Sequence, residues 1–179
     1  MQAVPLTIAQ LIQLLYNVVD RIYIGHLPGT HGQALTGIGL IFPIISIIAA
    51  FTNLFAMGGA PLFSIARGAG EEKKASRILN NTFFLLVLTA VILMGIGYLF
   101  QREILYLFGA SEATYPYARE YLMIYLLGTV FLMVGTGMNQ FINAQGFPKT
   151  GMMVVMSGAI LNIALDPLFI FVFGMGIRG

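Results

Sequence analysis

Six polar residues set in apolar surroundings hold the chemical interest of this chain. In the stretch from about Val4 to Gly25, Gln10, Gln13, Asn17 and Asp20 recur at steps of three, four and three, so a helix carries all four on one face. Toward the other end Asn162 and Asp166 stand four apart, again on one face, and Pro167 follows the acid directly. A charged side chain at the centre of a membrane helix costs about 2.5 to 3.5 kcal/mol on the insertion scale, so neither acid faces lipid. Each must meet other helices or a water-filled cavity. Proline disfavours helical geometry in the residue before it and carries no N–H, which leaves a carbonyl one turn back, near Ile163, available to a cation or to water. Two carboxylates facing one low-dielectric space cannot comfortably both stay ionised, so one takes a proton, a metal cation or a cationic ligand. That is a coupling chemistry. An ion moving inward displaces an organic cation from the same acids, with each charge worth about 2.3 kcal/mol per 100 mV. Asn17, Asn162 and backbone carbonyls complete an oxygen-rich shell, and Gln10, Gln13 and Asn53 are candidates for lining the same cavity. Plainer roles compete at both positions: Asp20 snorkelling outward beside Arg21, and Asp166 satisfying the backbone loosened by Pro167.

Such residues need a membrane fold to position them. Of 179 residues, 58% are hydrophobic and 9% charged, against roughly 25% charged in soluble domains, and mean hydropathy is +0.88. A crossing needs about 20 apolar residues, which predicts five transmembrane helices at about 4–25, 34–57 continuing to 66, 78–100, 118–138 and 152–173. The breaks carry turn chemistry at His26-Leu27-Pro28-Gly29, Gly68-Ala69-Gly70, Gly109-Ala110-Ser111 and Gly146-Phe147-Pro148. Gly58-Gly59-Ala60-Pro61 predicts a kink in a long second helix, with Pro43 as another bend. No ten-residue alternating strands of a barrel are visible, so the class is an all-α membrane protein.

The basic cluster Arg67, Lys73, Lys74 and Arg77 places the loop after the second span, and with it the N-terminus, in the cytoplasm of a multi-pass protein of the cell (inner) membrane. Asp20 lies 16 residues after Val4 and Asp166 lies 14 after Met152. In that topology the acids share a depth in the outer half of the bilayer. Tyr98, Tyr106, Tyr115, Tyr117 and Tyr121 gather around the third loop as an interfacial belt, with 101–108 lying in the interface. Asn139, Gln140 and Asn143 read as interhelical hydrogen-bonding residues, and the ten methionines as core.

Other functions are excluded or set aside. Zero cysteines remove disulfides and thiolate chemistry. Nine basic residues against seven acidic ones, scattered through the chain, give no nucleic-acid surface. His26 and His31 lack carboxylate or cysteine partners for a metal. The glycine pattern Gly174-Met175-Gly176-Ile177-Arg178-Gly179 follows a membrane helix where a nucleotide fold needs a strand. There is no charged n-region with a cleavage site, so the first segment reads as a retained helix. With no zinc motif, no serine and histidine pair within the spans and no nucleotide loop, an enzyme is not expected, and no cofactor is implied beyond Na+ or H+ as a coupling ion.

Three stretches resemble the multidrug and toxic compound extrusion (MATE) transporters: Leu15-Tyr16-Asn17-Val18-Val19-Asp20-Arg21-Ile22-Tyr23-Ile24-Gly25, the glycine-rich Met57 to Gly70, and Ala144-Gln145-Gly146-Phe147-Pro148-Lys149 running on to Leu161-Asn162-Ile163-Ala164-Leu165-Asp166-Pro167. The resemblance implies a twelve-helix fold in two six-helix lobes, of which residues 1–179 are an incomplete N-terminal lobe without the sixth helix and the C-terminal lobe. It also implies export of small, amphipathic, often cationic compounds in exchange for sodium or protons, with Asp20, Asn162 and Asp166 at a cation site. Asn17 joins them from the helical face alone. Two alternatives stand beside this: a lipid or lipid-linked-sugar flippase of the same superfamily, and a non-transporting scaffold or channel subunit in which the polar stripes are packing contacts. The first expects cationic residues deep in the spans, and no Arg or Lys lies there.

Overall fold

The computed structural model describes residues 7–8, 10–12, 14–15, 18–19, 22 and 33–173. In the first segment every described residue is helical and nearly all are exposed. From there the elements are α1 (Gln33–Gly39), α2 (Phe42–Gly68), α3 (Glu72–Leu99), α4 (Gln101–Leu107), α5 (Tyr115–Ala144) and α6 (Pro148–Pro167), with a π-helical turn at Leu168–Val172. Four spans among the described residues are long and apolar enough to cross a bilayer: Leu35–Gly68, Glu72–Leu99, Tyr115–Ala144 and Pro148–Pro167.

Three helix ends repeat one device. After α2, α4 and α5 the chain turns at Gly70, Gly109 and Gly146, whose φ values of 75°, 95° and 91° lie where a Cβ is strained. In each case the following N–H reaches back five residues: Glu71 to the Ala66 carbonyl, Ala110 to Leu105 and Phe147 to Ile142. Each bond satisfies a carbonyl that the helix leaves open. The turn signals in the sequence therefore fall where the helices stop.

α2, α3 and α5 form the packed centre. Ile48, Leu86, Ala90 and Met133 make one buried cluster, and Ala60, Phe63, Ala66, Ala75 and Phe141 another. Phe63 and Phe141 meet edge to face at 5.4 Å. Small residues allow the approach: a Cβ on Gly137 would stand 2.5 Å from Leu86 and one on Gly97 2.7 Å from Leu126. Lipid offers no hydrophobic drive to helix pairing, so such close contact supplies the association by dispersion. A third cluster, with Ile41, Leu105, Leu122 and Leu126 at its heart, fastens α4 against α5. Tyr98 adds a polar tie, its hydroxyl donating to the Met123 carbonyl at 2.7 Å.

The helices depart from the apolar windows in three ways. α2 runs unbroken through Gly58 to Pro61, and the interruption comes at Leu40 and Ile41, with Pro43 in the first turn of the next helix. Proline there loses no helical hydrogen bond, since the first N–H groups have no partner in any case. α3 begins at Glu72, so Lys73, Lys74 and Arg77 form its opening turns. α5 continues past Met138 to Ala144. In both, the backbone ladder extends beyond the hydrocarbon, where polar side chains are no obstacle to a helix.

Candidate functional site

α6 is apolar apart from a few positions, and its C-terminal turns hold the chemistry. Asp166 is only 5% exposed. The i to i+4 geometry brings Asn162 above it, and Asn162 Nδ2 donates to Asp166 Oδ1 at 3.0 Å. The oxygen of the same amide, Asn162 Oδ1, is buried and has no hydrogen-bond partner among the described residues. A buried amide oxygen beside a buried carboxyl is an oxygen-rich corner suited to a cation or a proton.

The backbone beyond it is irregular. Pro167 has no N–H to offer the Ile163 carbonyl, and the N–H of Leu168 bonds to Leu165 instead. From Leu168 to Val172 the helix widens into a π turn, closed by Phe173 N–H to the Leu168 carbonyl at 2.9 Å. Such turns occur often at functional sites because they redirect side chains and carbonyls. The structure thus unites Asn162, Asp166 and a disturbed backbone, as their spacing predicts.

The other predicted residues fare differently. Asp20, Asn17 and Gln13, like His26, His31 and the glycine pattern of 174–179, lie outside the described residues. Gln10 is exposed on the first segment, and Asn53 is exposed on α2, one position from buried Thr52. Both are outside the packed centre of α2, α3 and α5.

A second polar cluster ties α5 to α6. Asn139 Nδ2 donates to the Gly151 carbonyl at 3.1 Å, and Asn143 Nδ2 donates to Asn139 Oδ1 at 3.2 Å. Asn143 Oδ1 packs against Gly151, where a Cβ would collide with it. Nearby, Ser64 of α2 donates to the Ala144 carbonyl at 2.9 Å, at the last turn of α5. Interhelical bonding is the role expected for Asn139 and Asn143. The part played by Gly151 had no local signal, because only the tertiary approach of two helices reveals it.

On α4 and the loop after it, Tyr106 donates to Glu112 Oε1 at 2.8 Å, stacks on Tyr115 at 5.3 Å and carries Arg102 over its ring at 5.8 Å. The hydrogen bond to Glu112 raises the phenol above its usual 10.0, and the carboxylate's charge adds to that.

The family model MatE matches residues 5–168. The chain belongs to the MatE family. Among curated relatives, the multidrug export protein MepA of Staphylococcus haemolyticus is 30% identical over 169 residues, covering 94% of this chain and 37% of that protein. MepA of Staphylococcus aureus is 26% identical over 177 residues, covering 99% of this chain and 39% of that protein. Among solved structures, the MATE multidrug transporter DinF-BH superposes with a TM-score of 0.90 at 33% identity, over 98% of this chain and 39% of that one. This MatE chain therefore spans about two fifths of the length of the relatives it matches, and its all-helical, multi-pass fold is theirs over that length.

Proposed function

We propose that the chain is the N-terminal lobe of a multidrug efflux antiporter, in which Asp166 and Asn162 bind the coupling cation. The observation that carries this is the 5% exposed Asp166 held by Asn162 beside an unpartnered amide oxygen, in a helix that is otherwise apolar. A carboxyl kept from solvent in a membrane helix is a functional group by default, since its burial is costly and packing alone has no use for it. Asp20 and Asn17 complete the shell from the first segment, and Na+ or H+ is the ion. Small, amphipathic organic cations are the exported substrates, released when the ion claims the acids. Alternating access rocks this lobe against a second lobe of the same protein. The exposed Arg67, Lys73, Lys74 and Arg77 set that end of α2 and α3 in the cytoplasm of the cell membrane, with the N-terminus on the same side.

The test uses the complete protein in ethidium-loaded vesicles given a sodium pulse or a pH jump. Asp20→Asn and Asp166→Asn variants that insert and melt like wild type should lose ion-driven efflux. Efflux at the wild-type rate from both would overturn the coupling site.

A further inference from the structure

Between α2, α3, α4 and α5 lies an apolar pocket of about 200 Å³, separate from Asn162 and Asp166. Its floor is Ile48 and Leu126, each 1% exposed, and its mouth is Ile47, Ile96 and Leu107, which are 46%, 45% and 80% exposed. Among the described residues no charged side chain lines it. An apolar cavity of about 150 Å³ stays dry and takes up benzene, so this one has room for a stretch of hydrocarbon.

The helix α4 forms its lid. Ile104, Leu107 and Phe108 face the pocket at i, i+3 and i+4, while Arg102 and Tyr106 fall on the opposite face of the same helix. An amphipathic helix of this kind, with a stacked tyrosine pair beside it, lies in the membrane interface with its apolar face toward the acyl region. The pocket is then placed just below the headgroups, and its mouth opens sideways where acyl chains are the surrounding phase. The polar rim around it carries both signs. Arg102 and Arg119 are exposed there together with Glu103 and Glu112, and half-buried Glu120 adds a third acid. Two cations against three acids do not favour an anionic headgroup; they suit one that carries a phosphate and an ammonium together.

We propose that this pocket is a binding site for one acyl chain of a zwitterionic phospholipid, phosphatidylethanolamine in particular, whose headgroup sits among the charges around α4. The lipid is a fixed part of the lobe and buttresses α4 against α2 and α3.

Native mass spectrometry tests this on the complete protein taken from membranes holding phosphatidylethanolamine and phosphatidylglycerol and washed in mild detergent. Wild type should retain one phosphatidylethanolamine. Ile96→Phe, which fills the mouth, and Leu107→Lys, which charges it at an exposed position, should each lower that retention about tenfold, the weight of two buried methylenes. Phe131→Leu, at a site 81% exposed to the surroundings and away from the pocket, should leave retention unchanged. Melting curves show which variants are folded, and Leu107→Lys stands as the reporter if Ile96→Phe is not. A wild type that retains no lipid, equal retention of phosphatidylglycerol, undiminished retention in a folded variant, or displacement of the lipid by ethidium would each overturn the assignment.

Discussion

Two pairs of polar side chains, Asn139 with Asn143 and Asn162 with Asp166, share one geometry and differ in what they do with it. Each is an i to i+4 pair joined by an amide N–H, at 3.2 Å in the first and 3.0 Å in the second. The asparagine pair reaches across to the Gly151 carbonyl and so joins α5 to α6. The pair on α6 holds its carboxyl 5% exposed and keeps a buried amide oxygen without a partner among the described residues. Neutral amides in lipid are satisfied by a neighbouring helix and become packing contacts. A carboxyl needs a counter-charge or a proton that packing does not supply. The same spacing thus yields a fastener in one place and a binding site in the other, and the charge decides which.

The comparison breaks if the two pairs respond alike to mutation. The largest effect should come from Asp166→Asn, which keeps shape and hydrogen bonding while removing the charge: ion-driven dye efflux should fall on the order of tenfold or more at unchanged melting temperature. Gly151→Ala should do the reverse. Its new Cβ meets Asn143 Oδ1 and comes within 3.1 Å of Asn139 Oδ1, so stability should drop by about 1–3 kcal/mol in denaturation, with efflux per folded molecule retained. Asn139→Ala removes the bond to Gly151 without a collision and should cost about 0.6–1.7 kcal/mol, read as a drop of a few degrees in melting temperature. A double-mutant cycle over Asn139 and Asn143 then isolates their mutual term.

The smallest effect lies outside the spans, at Tyr106. Its phenol is raised above the ordinary value by the bond to Glu112, so the protonated form is favoured in the fold. The bond's contribution is whole below the ordinary phenol range and is lost as pH rises through the raised value. Ultraviolet titration should show one late-ionising tyrosine that Glu112→Gln returns toward 10.0.

Much of this was legible in the chain because membranes simplify the problem. Apolar runs must be helices where no water satisfies the backbone, and the glycines at 70, 109 and 146 mark ends that only a positive φ can make. Asn162 and Asp166 could be paired from spacing alone, since four residues is one helical turn. Helix limits were less visible: α3 starts at Glu72, six residues before the apolar run at Ile78, because hydropathy reports where lipid is and says nothing of where hydrogen bonding stops. The break at Leu40 and Ile41 is apolar on both sides and leaves no compositional mark. Gly151 against Asn143, and the pocket under α4, exist only once separate helices meet. Asp20 and Asn17, the other half of the predicted cation shell, rest on sequence alone.

The π turn after Pro167 has a consequence for engineering. A wide turn holds one residue more than an α-helical ladder needs, so the chain from Leu168 to Val172 carries slack. Deleting one residue there would let the ladder close regularly and rotate everything downstream by about 100° relative to Asp166. Insertions and deletions elsewhere in α6 would shift the acid itself. This turn is the place where the following segment can be re-aimed while the carboxyl stays where it is.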